Sequence, residues 1–385
     1  MKQFVCLGYH VDKEKGIVTG LAMMHDLFIS ILREKGYVVK AISLNDKRGS
    51  SSTKIASSGV LRLLDYFPII GKLLYYFLFG KNVVLYFNPS TAKAGFYRDV
   101  VAVHLAKLFG HKVLMQQFGA LFESFKSSLT PREQKILVRT YNKADMIIVE
   151  GENARKQYPF LSDINKIKVI QNGLPDTNKN IPKYPKEYKQ GQSFNMFFLN
   201  NMIESKGYMD VIKAVDILVN HRKRDVTCVF AGRFMQVQGD EYFKSTEEAK
   251  QWFDGYVADR GLTERVKYYE SVFDDNKVRE FTKAHVYLLP SYYIYEGQPT
   301  AVLEALSYGC VPVVTRYRLI PDMVNEQCGI FVEPKSPESI ADAIESLIDN
   351  PEQYVQMSNN AYERFNASFT QEAYANKILK TIETL

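Results

Sequence analysis

LLPSYYIYEGQPTAVLEALSYGCVPVVT, residues 288–315, decides how the rest of the chain is read. An apolar run ends at Pro290, a polar and tyrosine-rich loop follows, and helical spacing begins near Pro299 or Thr300. Proline close to the first helical position sacrifices no hydrogen bond, and Thr300 is a candidate cap. The helix start is therefore expected to present unpaired N–H groups from about Thr300 to Val302, which with the helix dipole suit a diphosphate. Glu296 stands just before that start and Glu304 one turn inside it. Each carboxylate can accept two hydrogen bonds from a vicinal diol, the edge of a ribose or a pyranose. Acids on both sides of a phosphate site fit a nucleotide sugar. The plain alternative is a surface-loop acid plus a first-turn acid that complements the dipole.

Outward from this stretch, short apolar runs alternate with amphipathic ones. The second half reads as strands Asn195–Leu199, Thr227–Ala231, Val266–Tyr269, Val286–Leu289, Val311–Val314 and Gly329–Val332, with helices in the gaps. The first half repeats the scheme with strands Gln3–Leu7, Val38–Leu44, Val83–Phe87, Lys112–Gln117, Met146–Glu150 and Lys168–Ile170. Helical spacing covers Gly20–Lys35, Ala92–Phe109 and Pro131–Tyr141 there, and the chain is all-helical after Pro351. Strands this apolar are buried on both faces, so the expected fold class is α/β, with two doubly wound parallel-sheet domains facing a cleft and a helical C-terminal tail. A length of 385 residues accommodates two to three domains at roughly 150 residues each. The Pro-, Asn- and Lys-rich segment 171–194 is the expected linker, between domains 1–180 and 190–367.

Hydrophobic residues make up 46% and charged residues 24% of the chain, which excludes disordered and fibrous classes. Cys6, Cys228, Cys310 and Cys328 lie too far apart for a metal cluster or a redox pair, a usage suited to a reducing compartment. The N-terminus lacks the apolar run of a signal peptide, and no stretch is long enough to span a bilayer; a cytoplasmic setting is expected. Residues 1–180 carry 26 Lys and Arg against 14 Asp and Glu, whereas the remainder carries 23 against 29. The basic half suggests an anionic partner. Within it, Val60–Lys81 is apolar and aromatic with interspersed cations. It reads either as an element lying in a membrane interface or as a helix pair buried on the first sheet.

EGQPTAVLEA resembles the E-x7-E signature of the GT-B glycosyltransferases of family 4, the group 1 glycosyl transferases, with Glu296 and Glu304 at its ends. SYGCVPVVT, IPDMV, TGLAMMHDLFISILREKGYVV, KADMIIVEGENARKQY, IKVIQNGLPD and FFLNNMIESKG resemble the family's other segments, in the family's order. The resemblance implies a GT-B fold whose N-domain is completed by the C-terminal helix 368–385. It implies a retaining, metal-independent transferase that moves a sugar from a nucleotide diphosphate, UDP ahead of GDP, to a glycan or lipid-linked acceptor. On that resemblance Glu304 would hold the ribose and Glu296 the donor sugar. The backbone of Gly297, Gln298, Pro299 and Thr300 would line the phosphates, Lys206 would neutralise them, and Gly20 would allow close approach of the first loop.

The chain departs from the family at three places. Asn200-Asn201 replaces Gly-Arg and removes a cation, for which Arg233 or Arg316 would compensate; Gln116–Gly119 replaces a His-Gly step, leaving Gln117 or His10 to serve; and EGQP replaces EGFG. Base recognition is expected around Gly232–Arg233 and Tyr269–Val272. No Asp-x-Asp triplet occurs, and the six histidines lack ligand spacing, so no metal and no further cofactor is expected. Other readings are a non-catalytic sugar-nucleotide binder and a GT-B epimerase. A dehydrogenase lacks its G-x-G-x-x-G, and a nucleic-acid module lacks any finger or repeat.

Overall fold

Runs of β-branched, aromatic and aliphatic residues form two parallel six-stranded sheets whose central strands are buried on both faces, whereas the edge strand Val38–Ser43 is largely exposed. The computed structural model describes residues 2–12, 19–45, 66–119, 122–174, 186–237 and 239–385. The chain divides into two compact units, Met1–Pro175 with Glu372–Leu385, and Asp176–Gln371.

The first unit runs β1 (Gln3–Gly8), α1 (Gly20–Glu34), β2 (Val38–Ser43), α2 (Phe67–Phe79), β3 (Val83–Phe87), α3 (Lys93–Leu108), β4 (Lys112–Gln117), α4 (Phe122–Ser128), α5 (Pro131–Lys143), β5 (Met146–Val149), α6 (Glu152–Arg155) and β6 (Ile167–Val169). Its strands lie in the order β2-β1-β3-β4-β5-β6. The second unit runs β7 (Phe194–Leu199), α7 (Tyr208–Asp216), β8 (Val226–Ala231), α8 (Thr246–Asp259), β9 (Val266–Tyr269), α9 (Asp274–Lys283), β10 (Val286–Leu289), α10 (Thr300–Ser307), β11 (Val311–Thr315), α11 (Ile320–Met323), β12 (Ile330–Val332), α12 (Pro337–Asp349) and α13 (Pro351–Ser368). Its strand order is β12-β11-β10-β7-β8-β9. The expected α/β class and strand content are present, with ends shifted by a residue or two.

Local signals set the helix starts. Thr130 and Glu133 make a reciprocal capping box ahead of α5, and Ser336 and Asn350 cap α12 and α13, each with proline in the first turn. The last helix, α14 (Gln371–Glu383), belongs to the first unit. Its Tyr374, Ile378 and Ile382 are fully buried against Phe4, Cys6 and Phe28, and the Tyr374 hydroxyl accepts a hydrogen bond of 3.1 Å from Gln116 Nε2.

The end of the 171–194 segment is built into the second unit. Tyr188 is buried in its core, and the buried Lys186 ammonium donates to the carbonyls of Phe281, Thr282 and Ala284. Of Val60–Lys81, residues 60–65 lie outside the described residues. The rest is one helix, α2, in which only Leu73 and Phe77 are buried.

Candidate active site

In the second sheet β7 lies between β10 and β8, with Phe197 opposite Tyr287 on one side and Val229 on the other. The direction of strand progression reverses there, and parallel α/β sheets hold ligands at the carboxyl ends of strands at such a point. The segment leaving β7 carries Asn201 and Lys206, and the segment leaving β10 carries Glu296. Topology, not sequence proximity, brings these groups together.

The Lys206 ammonium lies 2.7 Å from both carboxylate oxygens of Glu296. The two side chains are 11% and 4% exposed, so this is a desolvated, bidentate pair. Ser291 Oγ donates to Glu296 Oε2 at 2.7 Å, and Thr315 at the end of β11 donates to the Ser291 carbonyl. The ring centre of Tyr293 lies 4.7 Å from the Lys206 nitrogen. Gly207 then turns the chain with φ of 87° into α7. A Cβ there would stand 2.8 Å from the Pro290 carbonyl oxygen, so only glycine lets the Lys206 turn seat on the Glu296 segment.

The start of α10 differs in detail from expectation. Pro299 occupies the cap position, Thr300 is the first helical residue, and no side chain caps the helix. Thr300 fails as a cap because the extended backbone of the proline already ends the loop. The Val302 N–H donates to the Pro299 carbonyl at 3.0 Å, so the open donors do not extend to Val302. Gln298 and Pro299 are buried, Gly297 and Thr300 half-buried. Glu304, one turn inside, lies 2.5 Å from the Lys277 ammonium of α9. Lys277 carried no motif in the sequence and reaches Glu304 from α9, while Ser291, five residues before Glu296, and Thr315, at the end of β11, lie in the 288–315 stretch without being marked by type.

Asn201 and Arg233 lie on neighbouring segments joined by Met202 N–H donating to the Arg233 carbonyl at 2.8 Å. Both are exposed, and Arg233 faces Glu270 at 3.7 Å. Arg316 pairs with Glu326, its guanidinium 4.0 Å from the Phe331 ring centre. The two candidate substitutes for the missing cation thus already have acidic partners. The buried Glu204 carboxylate accepts the backbone N–H groups of Glu241, Tyr242 and Phe243 at 2.9–3.1 Å, hanging the segment after β8 from the same turn as Lys206.

In the first unit β1 sits between β2 and β3, again at a reversal of strand progression. His10, just past β1, holds Asp26 of α1 at 2.5 Å, and the other Asp26 oxygen accepts Val11 N–H at 2.8 Å. Gly20 opens α1, capped by Thr19. Gln117 is buried, its amide spent on the Tyr141 hydroxyl and the Phe118 carbonyl.

Beside it, Glu150 receives Gly119 N–H at 2.6 Å and Asn172 Nδ2 at 2.5 Å. Burial pushes its carboxyl up to about 7, against those two stabilising donors. The folded chain therefore keeps a proton that the unfolded chain releases between pH 4.5 and 7, and stability falls as pH rises through that window. Glu150→Gln is expected to remove this slope. Relative to wild type, its unfolding free energy should improve by on the order of 3 kcal/mol from the low to the high end. The buried His25, lowered to about 4, contributes the opposite slope in both proteins and cancels in the difference. Denaturant titrations at several pH values give the answer; parallel wild-type and variant curves would refute it.

Residues 180–364 match the family model described as glycosyl transferases group 1. Among curated proteins, the sucrose synthase of Nitrosomonas europaea is 20% identical over 278 residues, covering 67% of this chain and 34% of that protein. The aligned part therefore spans about a third of that relative. Among solved structures, HepE of Anabaena in complex with UDP superposes with a TM-score of 0.69 at 13% identity, covering 100% of both chains. The lipopolysaccharide outer core galactosyltransferase WaaB superposes with a TM-score of 0.69 at 14% identity, covering 100% of this chain and 99% of that one. The shared architecture is the GT-B fold. That family's model runs through residues 180–364, so the second unit carries a domain of the glycosyl transferases group 1.

Proposed function

We propose that the chain is a retaining glycosyltransferase that carries a sugar from a nucleoside diphosphate, UDP in preference to GDP, to a hydroxyl of a glycan or lipid-linked glycan. The observation that carries this reading is the buried Lys206–Glu296 pair beside the start of α10. Support for the donor comes from HepE, which binds UDP, and for a glycan acceptor from WaaB, a galactosyltransferase of the lipopolysaccharide outer core.

The reaction breaks the bond between the anomeric carbon and the diphosphate oxygen and forms one to the acceptor oxygen. Neither the sequence nor the described residues mark a nucleophile for double displacement. We favour front-face displacement, in which the departing diphosphate takes the acceptor's proton. Lys206 and the first N–H groups of α10 then stabilise the negative charge gathering on that leaving group, without a metal. Glu296 orients Lys206 and accepts donor-sugar hydroxyls, while Glu304 holds the ribose diol. Lys277 keeps Glu304 pointed, at the cost of competing for one oxygen.

A thermal-shift series with nucleotide sugars tests the donor, and transfer of a radiolabelled sugar tests the chemistry. At about 100 times its dissociation constant the right donor adds roughly 2.7 kcal/mol of stability. Glu304→Gln should weaken nucleotide binding by about 1.5–3 kcal/mol, roughly 10- to 100-fold, through the lost charged acceptor. Equal shifts for wild type and variant would remove the ribose role. Binding without turnover would instead favour the non-catalytic binder.

A further inference from the structure

In the first unit α3 packs between α2 and α5, and the three helices form one layer. Their outward residues are unusual together. On α2, Phe67, Tyr75, Leu78 and Phe79 are 68%, 60%, 55% and 73% exposed. On α3, Tyr97, Val101, His104 and Leu108 follow the three- and four-residue spacing of a single helical face, with Leu108 76% exposed. On α5 the exposed side is cationic, with Arg132, Lys135, Arg139 and Lys143. A groove of about 760 Å³ opens between α3 and α5, floored by Val101, Leu105, Leu108 and Ile136 and rimmed by Arg139 and Lys143.

The charge is one-sided. The three helices hold two carboxylates, Asp99 and Glu133, and both are buried. Asp99 pairs with Arg98; Glu133 closes the α5 capping box and accepts the Tyr97 hydroxyl. Among the described residues, none of Lys72, Arg132, Lys135, Arg139 and Lys143 takes part in an ion pair. No helix among them is long and apolar enough to cross a membrane. Exposed aromatic and aliphatic side chains beside unmatched cations match the interface of an anionic bilayer. Rings and methyl groups enter the headgroup region, and ammonium and guanidinium groups meet lipid phosphates.

We propose that the outer face of α2, α3 and α5 docks this chain on an anionic lipid surface, with the α3–α5 groove against the lipid chains and its rim on the phosphates. The inference stands independently of the sugar-transfer reading. Flotation of the full chain with phosphatidylglycerol-containing and pure phosphatidylcholine vesicles tests it. Binding is expected only to the anionic vesicles and is expected to weaken with salt. Arg139→Gln with Lys143→Gln should lower partitioning by about 25-fold, taking about fivefold per cation removed. Phe79→Ser with Leu108→Ser should lower it at least as much. Lys189→Gln with Lys250→Gln, exposed positions of the second unit, should leave it unchanged.

Three results overturn the proposal: no binding to anionic vesicles, an equal loss in the control pair, or displacement by single-stranded DNA with the serine pair binding as wild type does. The last would make the face a polyanion site. Self-association abolished by the serine pair, in a chain that ignores vesicles, would make it an interface between copies.

Discussion

Lys206→Met is expected to lower sugar transfer by on the order of 10²–10³ and to destabilise the fold by about 3–5 kcal/mol. The two losses have different origins. Turnover suffers because the cation that meets the leaving diphosphate is gone. Stability suffers because Glu296, 4% exposed and held by Ser291, is left as a buried charge without its counter-ion. A double variant separates them. Lys206→Met with Glu296→Gln removes both charges, so its stability should recover to within about 1–2 kcal/mol of wild type while activity stays lost. Unfolding titrations and single-turnover assays on the three variants and wild type complete the cycle. A double variant no more stable than Lys206→Met, or one that regains activity, would remove the pair from the centre of the mechanism.

Gly232→Ala is expected to cost at least about 3 kcal/mol, a fall in melting temperature of roughly 6–12 °C for a unit of this size. Gly232 has φ of 148°, and a Cβ there would lie 1.9 Å from the Asn200 carbonyl oxygen and 2.6 Å from its carbon. Both obstacles are backbone, so no rotamer relieves them. Gly232 is also fixed on its other sides. Its N–H donates to the Tyr269 carbonyl at 3.0 Å, and its carbonyl accepts the Tyr268 hydroxyl at 3.0 Å. Relief must come from parting the segments after β7 and β8, which displaces Asn201 from Arg233. Nucleotide binding should weaken along with stability. A variant within about 1 kcal/mol of wild type would show that the close approach is slack.

The strands were legible because burial on both faces leaves an unbroken apolar run, as in Val83–Phe87, where every residue is buried. Ends were off by a residue in both directions: Phe194, Val226 and Thr315 join the strands, whereas Leu44, Glu150 and Ile170 fall outside them. The π-helical turn Ile217–His221 after α7 gave no signal, because it keeps the apolar spacing of the helix it extends. Glu296 and Lys206 were recognisable as types, one in a loop before a helix start and one before a glycine. Their bidentate pairing was not, since it joins residues 90 apart through the adjacency of β7 and β10. The acids beside Arg233 and Arg316, Glu270 and Glu326, were not legible, because composition does not show which acids face a cation. Thr300 failed as a cap because Pro299 takes that position with its backbone.

Because α14 fills the interior of the first unit, the order of the chain does not match the order of its units. Residues 176–371 are one uninterrupted piece, but the first unit stays unfinished on the ribosome until residues 372–385 have been made. Until then the space later taken by Tyr374, Ile378 and Ile382 is open to water, with Phe4 and Phe28 at its wall. Nascent chains halted near residue 370 should therefore hold a completed second unit beside a first unit that is still soft to proteases. Separate expression of the halves needs the final helix grafted back onto the first.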